Sequence, residues 1–232
     1  MIATVINALA VIVGSIIGLI LRRGIKERYQ NIIYAASGIT SLTIGIQMVL
    51  KTTHLLAFAI ALILGGLAGT MLDIEGGIMR LGERLKQRFD KKSEGSTFAA
   101  GFLNASVLYC AGAMAIVGAF KAGTEGDYSI LLTKSVLDGF MSIIFAGAMG
   151  PGVIFSAFSV LIYQGALTLL SVWVKPYVTN IMLAELTGIG GALVLMIGLG
   201  LLDIKKLKTA DFLPALVVII MLVLVFPYVP FL

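Results

Sequence analysis

Long apolar stretches separated by short polar loops occupy nearly the whole chain, and this pattern limits the possible folds more than any other feature. Most of the stretches approach the length of about 20 residues that an α-helix needs to cross a bilayer. The mean hydropathy is +1.05 and only 12% of the residues are charged, whereas soluble domains carry about 25% charged residues. A chain of 232 residues has room for roughly eight such helices and no separate soluble domain. The sequence therefore predicts an all-α polytopic membrane protein with about eight transmembrane helices.

The spans and their orientation can be assigned from the apolar stretches and the basic residues. The predicted spans are residues 2–21, 32–50, 55–72, 98–120, 131–149, 153–174, 181–202 and 212–229. Between the third and fourth, residues 73–97 repeat apolar side chains at helical spacing opposite a basic face, which predicts an amphipathic helix on the cytoplasmic membrane surface. Of the 17 basic residues, 13 lie in loops on that same side. Because basic loops are retained in the cytoplasm, both termini are predicted outside it.

The segment from Lys134 to Gln164 combines apolar character with ionisable and polar side chains. Lys134 and Asp138 are four residues apart and therefore share one helix face. Charged groups at membrane depth are costly, so they face a partner or a cavity. Gly150-Pro151-Gly152 predicts a break in the helix that would shape such a cavity. Two interpretations stay open: an ion pair that locks two helices together, or a site for a substrate or proton.

Three further polar residues in the spans are candidates for the surroundings of that site. Gln164 and Asn104 can each donate and accept hydrogen bonds, so either can line a cavity or pack between helices. Glu185 is either an interfacial residue or a second acid at the site. Asn7 in the first span is interpreted as a packing contact between helices. The candidate substrate- or ion-binding residues are Asp138, Lys134, Gln164, Asn104 and Glu185, with Gly150, Pro151 and Gly152 shaping the cavity.

Sequence signatures of catalysis and of metal binding are missing from the chain. It contains no HExxH, GxSxG or P-loop lysine motif. One histidine and one cysteine cannot build a multi-histidine or thiolate metal site. The net charge of +5 is accounted for by the loops beside the spans, so nucleic-acid binding is not expected. We predict a protein that is not an enzyme, with no catalytic residue, no metal and no cofactor.

Spans one to three resemble spans six to eight at an offset of about 150 residues. Residues 5–21 align with residues 154–170, and Ser37-Gly38-Ile39 aligns with Thr187-Gly188-Ile189. Identities are few, and apolar segments match one another by chance. Five spans precede the second copy, so it would be inverted relative to the first, as in many transporters. The predicted organisation is repeat one (1–72), the surface helix (73–97), central spans four and five (98–150) and repeat two (151–232).

Four blocks of sequence resemble a known family. They are ASVLYCAGAMAIVGAF (105–120), GDYSILLTKSVLDGF (126–140), GVIFSAFSVLIYQGALTLL (152–170) and ELTGIGGALVLMIGLGLL (185–202). Together they closely resemble the bacterial inner-membrane family catalogued as domain of unknown function 554, the YqgA/YdfK-like proteins. The resemblance covers nearly the whole chain. It implies a multi-pass protein of the bacterial inner membrane, for which transport is one suggested role, and it supplies no catalytic residue.

The favoured function is that of a small secondary transporter or channel for a small solute or ion, with its polar site near Asp138 at the interface between the repeats. The alternative is a non-transporting scaffold that organises lipids or a partner protein, and an intramembrane enzyme ranks below both. The expected partners are membrane lipids and further copies of the chain, in a dimer or higher oligomer, because small-residue faces favour helix association.

Overall fold

The computed structural model describes residues 1–22, 27–89, 95–110, 113–174 and 178–225. All regular structure in these ranges is helical, which confirms the predicted all-α class. The helices are α1 (Ile2–Arg22), α2 (Glu27–Val49), α3 (Leu55–Met71), α4 (Ile74–Phe89), α5 (Gly95–Cys110), α6 (Ala113–Thr124), α7 (Ser129–Met149), α8 (Gly152–Val174), α9 (Asn180–Leu201) and α10 (Ala215–Val225), with a short 3₁₀ helix at Thr209–Phe212.

Four helices, α1, α7, α8 and α9, are long and apolar enough to cross a membrane by themselves. Two bent pairs raise the number to six among the described residues: Leu55–Met71 with Ile74–Arg80, at 52°, and Phe98–Cys110 with Met114–Thr124, at 58°. The predicted fourth span (98–120) therefore comprises two helices at an angle to each other, and residues 111–112 between them lie outside the described ranges. The predicted surface helix begins at Ile74, at a bend directly after α3.

The break predicted at Gly150-Pro151-Gly152 separates α7 from α8. A different structural constraint favours glycine at each of the two glycine positions. Gly150 has a φ of +88°, in the left-handed region that favours glycine. Its N–H donates to the carbonyl oxygen of Ala146 at 2.9 Å, which ends α7. A Cβ on Gly152 would overlap the carbonyl oxygen of Phe98 in α5. Because this turn is so short, α7 and α8 lie side by side in opposite directions.

The helices form two compact units, and the first comprises the described residues of Met1–Ser37, Met79–Cys110 and Met114–Tyr177. In this unit α1 runs parallel to α7, since Gly14 lies against Gly139 and Gly18 lies against Ile143 one turn further along both helices. A Cβ on either Gly14 or Gly18 would overlap a backbone carbonyl oxygen of α7. Small residues thus let the two backbones meet directly, as expected of helices that associate in lipid.

The second unit contains Gly38–Ile78 and the described residues from Val178 onward. Here α2 and α9 cross in opposite directions, with Gly45 against Gly191 and Gly38 against Gly198. Helix α10 runs antiparallel to α3, since Gly65 packs on the backbone of Ala215 and Gly69 on that of Asp211. The core of this unit is built from small and branched apolar side chains. They include Ala57, Ala61, Ile189, Ala215 and Ile219.

We expect Gly191→Ala to destabilise the protein by about 1–3 kcal/mol, because overpacking a closed contact forces a backbone shift. The new Cβ would lie 2.6 Å from the Val49 nitrogen and 2.8 Å from the Gly45 carbonyl oxygen. The measurement is the midpoint of thermal unfolding in detergent.

Gly200→Ala is the matched control on the same helix. A Cβ there would meet no described atom within 4 Å, so alanine should be neutral or stabilise α9 by up to about 1 kcal/mol. Equal losses for both variants would contradict the assigned α2–α9 crossing.

Candidate functional site

Four polar side chains from three helices meet inside the first unit: Asn7 of α1, Lys134 and Asp138 of α7, and Gln164 of α8. All are buried, and Lys134 and Asp138 are only 5% and 7% exposed. Asp138 is near the middle of the 21-residue helix Ser129–Met149, so a span built on α7 carries its carboxylate far from either end. We call these four residues the polar cluster. Its centre is the Lys134–Asp138 pair, which the spacing of four residues predicts.

Hydrogen bonds join the polar cluster across the three helices. The Lys134 ammonium donates to Oδ2 of Asp138. Asn7 donates with the same amide nitrogen to Asp138 Oδ2 and to Gln164 Oε1, both at 3.0 Å. The amide nitrogen of Gln164 in turn donates to the Thr4 hydroxyl at 3.4 Å. A single asparagine on α1 therefore connects a charged residue of α7 to an amide of α8.

Two acceptor oxygens of the polar cluster accept no hydrogen bond from the residues that the structure describes. Asn7 Oδ1 is buried and has no hydrogen-bond partner among the described residues. Both donors to Asp138 reach Oδ2, and within the described ranges no donor reaches Oδ1. Exchanging the oxygen and nitrogen of Asn7 would point its oxygen at the carboxylate, so the amide orientation is dictated by its neighbours. An unsatisfied buried acceptor costs about 1–3 kcal/mol, so the arrangement is not optimised for stability alone.

Tyr109 of α5 and Ser142 of α7 form a polar neighbourhood beside the pair. The Ser142 hydroxyl donates to the main-chain oxygen of Asp138 at 2.7 Å and accepts from the Tyr109 hydroxyl at 2.7 Å. The Lys134 nitrogen lies 5.8 Å from the centre of the Tyr109 ring. An ammonium within about 6 Å of a ring face is attracted to it, so Lys134 has a second partner beside the carboxylate.

Asn104 and Glu185, the other predicted site residues, have different partners. Asn104 donates to the Met149 sulfur at 3.4 Å. Glu185 belongs to the second unit, where it accepts from the Thr52 hydroxyl at 2.5 Å and from the backbone N–H groups of Thr53 at 2.8 Å and His54 at 3.0 Å. These donors directly precede α3, so the Glu185 carboxylate caps that helix from another part of the chain.

A pair of carboxylates that the sequence analysis did not single out connects α4 to the 3₁₀ helix. Asp211 accepts from the Glu75 N–H at 2.9 Å, and Glu75 accepts from the Ala210 N–H at 2.8 Å. Each acid therefore caps the helix that carries the other. The positions of the two acids at predicted helix starts could have indicated caps, but nothing in the sequence indicated that two acids 136 positions apart would pair.

Sequence analysis also missed Asn7 and Tyr109 as neighbours of Asp138. It assigned Asn7 to packing between helices, and the side chain does join helices, but its partners are the carboxylate and Gln164. The available signal was an amide in an otherwise apolar span, on a face of small residues. No comparable signal marked Tyr109, because its role depends on how α5 packs against α7.

Removing one member of the Lys134–Asp138 pair should cost more than removing both. Lys134→Met or Asp138→Leu leaves an uncompensated buried charge, with an expected loss of about 3–5 kcal/mol, whereas an apolar double variant is close to neutral. Thermal unfolding of the two single variants and the double variant in detergent measures this difference. If the losses simply add in the double variant, the pair is not coupled as the geometry indicates.

Glu185→Gln should destabilise the second unit by about 1–3 kcal/mol, because an amide nitrogen would then face hydroxyl and N–H donors. Asp203→Asn is the control, since Asp203 is an exposed acid paired at 3.2 Å with exposed Lys206, and such surface pairs contribute little. Unfolding midpoints that drop equally for both variants would refute the capping role of Glu185.

Comparison with known proteins identifies the family. Residues 2–224 match the family model described as protein of unknown function, DUF554. The chain is 35% identical over 224 residues to the uncharacterized membrane protein YdfK of Bacillus subtilis (strain 168), covering 94% of this chain and 93% of that protein. It is also 35% identical over 214 residues to the uncharacterized protein YqgA of Escherichia coli (strain K12), covering 91% of each. No solved structure matches the chain.

The four quoted sequence blocks, the helices that could cross a membrane and the match over nearly the whole length agree, and the chain belongs to the DUF554 family.

Proposed function

We propose that this protein is a small secondary transporter that carries a small solute or ion across the bacterial inner membrane, and that the polar cluster is its binding site. The observation that supports this most is the charged pair near the middle of α7, beside two acceptor oxygens that no described residue uses. An ion pair with a purely structural role gains no stability from unsatisfied acceptors, whereas a binding site needs acceptor atoms that are free to contact its ligand. Ionisable groups inside spans commonly mark substrate and ion pathways.

The proposal includes about eight spans arranged as an inverted repeat. Within the first unit α1 and α8 run in opposite directions, and within the second unit α2 opposes α9 and α3 opposes α10. These are the pairs formed by spans one and six, two and seven, and three and eight. Each pair has the relative direction that an inverted repeat requires. The same proposal places both termini outside the cytoplasm, which follows from the positions of the basic loops.

We favour a carrier over a channel. Every member of the polar cluster is buried, and a permanently open pore would leave its lining exposed to water. A carrier passes through an occluded state in which the site is closed to both sides, and rocking of one repeat against the other would then open it. The proposal needs no catalytic group, and it assigns the cluster the role of binding alone. The chain is proposed to work as a homo-oligomer, because small-residue faces favour association in lipid.

The second candidate is a scaffold that does not transport. The burial of Lys134 and Asp138 and the direct bond between them favour it, because an ion pair that stays dry at all times only holds helices together. The two candidates differ in one measurable respect, namely whether water ever reaches the polar cluster.

We therefore expect a cysteine placed at Gln164 to be modified by a membrane-impermeant thiol reagent from both sides of the membrane. The variant is Gln164→Cys in a Cys110→Ala background, which removes the native thiol. Labelling is measured in right-side-out and in inverted membrane vesicles. Labelling in both preparations, at a fraction of the rate of an exposed loop residue, is the result expected of a carrier whose site opens alternately.

Three control positions calibrate the experiment. Glu125→Cys and Lys205→Cys are exposed loop positions predicted outside and inside the cytoplasm, so each should react in one vesicle preparation only. Phe158→Cys lies on an exposed apolar face of α8, which lipid would cover, and should react in neither. If the Gln164→Cys variant stays as unreactive as the Phe158→Cys variant in both preparations, transport through the cluster is refuted and the scaffold is favoured. Glu125→Cys reacting only in inverted vesicles would refute the orientation.

A further inference from the structure

We infer that the polar cluster binds a monovalent cation, an alkali ion or a small ammonium, which replaces the Lys134 ammonium on the Asp138 carboxylate. This inference rests on the proposed function and names the class of solute. Lys134 then acts as a tethered competitor that occupies the site when no cation is bound.

The chemistry of the available atoms favours a cation. The unused atoms are both oxygens, one from the carboxylate of Asp138 and one from the amide of Asn7. The other oxygens of the cluster belong to Gln164 and Thr4. Oxygen ligands of this kind suit hard cations. With a single carboxylate, the site carries one negative charge to offset the bound ion, which favours a monovalent over a divalent cation.

An anion would find few donors at the same place. The amide nitrogen of Asn7 already donates to Asp138 and to Gln164, so both of its protons are used. The amide nitrogen of Gln164 donates to Thr4. An anion bound by Lys134 would also displace or face the Asp138 carboxylate, and like charges at that distance repel strongly in a medium of low dielectric constant.

Lys134 can leave the carboxylate without losing every favourable contact. Its nitrogen already lies 5.8 Å from the centre of the Tyr109 ring, and a four-carbon stem allows the ammonium to move by several ångströms. A displaced ammonium can therefore stay over the ring face while the incoming cation takes its place on Asp138. The exchange keeps one cation on the carboxylate throughout, so Asp138 is never left buried and unpaired.

The test is cation-dependent stabilisation of the purified full-length protein in detergent. Unfolding midpoints are measured in sodium, potassium, ammonium and methylammonium chloride, each titrated against choline chloride at constant ionic strength. At least one small cation should raise the midpoint of the unmodified protein above its value in choline, a bulky cation without N–H donors that serves as the reference. Which of the four salts acts distinguishes an alkali ion from an ammonium.

Variants separate binding at the cluster from a general salt effect. Lys134→Met removes the competitor and should lower the cation concentration for half-maximal shift at least tenfold, while Asp138→Asn should abolish the shift. Asn7→Ala removes the unused amide oxygen and should raise the cation concentration for half-maximal shift at least tenfold. This variant keeps the test decisive if Lys134→Met fails to fold. Lys121→Met is the control, because Lys121 is a partly exposed residue outside the cluster that pairs at 3.5 Å with partly exposed Asp127, and its titration should match the unmodified protein.

Each outcome bears separately on the cation and on transport. The inference is overturned if no cation shifts the midpoint of the unmodified protein, of Asn7→Ala or of Lys134→Met. It is also overturned if Asp138→Asn keeps the full shift. If the Gln164→Cys variant is labelled from both sides while no cation shifts the midpoint, transport stands and the solute belongs to another class. A cation shift that follows the variants while Gln164→Cys stays unreactive supports the binding site and refutes transport.

Discussion

The bond between the Lys134 ammonium and the Asp138 carboxylate is the interaction on which the first unit depends. A carboxylate near the middle of a membrane span is tolerable only if it is paired or neutral. The lysine one turn away supplies the opposite charge. Asn7 contributes a second donor from another helix, and this contact fixes the position of α1 along the axis of α7. The Gly14 and Gly18 contacts then close the same interface further along both helices.

Small residues make that arrangement possible and recur in the second unit. In lipid, apolar side chains gain little by leaving the solvent, so helix association depends on close packing and on polar contacts. The first unit combines both, with glycines at the α1–α7 contact and the polar cluster beside it. In the second unit, paired glycines bring α2 and α9 together, and the caps by Glu185 and Asp211 hold loops that would otherwise leave helix ends unsatisfied. The polar residues of this chain thus have two kinds of role, one near the middle of a span and one at helix ends.

Local patterns in the sequence predicted local structure well. The spacing of Lys134 and Asp138 placed them on one face, and Gly150-Pro151-Gly152 marked the end of α7, because both depend only on neighbouring residues. The partners of Asp138 could not be derived, since Asn7 and Gln164 lie 131 residues before it and 26 after it in the sequence, and apolar helices pack in several registers of similar hydrophobicity. Glu185 is a similar case, because its donors precede α3, more than 130 residues away. The change of direction after α3 and the angle between α5 and α6 could not be predicted, because no proline lies in either stretch of sequence.

The hydrogen bonds and the ion pair of the polar cluster also determine how much free energy is needed to separate its helices. Pulling Lys134 away from Asp138 with nothing in exchange would leave two buried charges, at a cost of several kcal/mol for each ion. That cost alone would keep the three helices in one arrangement, which is the scaffold. Replacing one cation by another keeps Asp138 paired, so only the displaced Lys134 ammonium is left without a counter-charge. Its contact with the Tyr109 ring and the fit of the incoming ion must offset that cost. A solute that carries a single positive charge is therefore the kind that could open this cluster at a lower cost than separating the pair with nothing in exchange, and the unused oxygens of Asn7 and Asp138 are the atoms available to receive it.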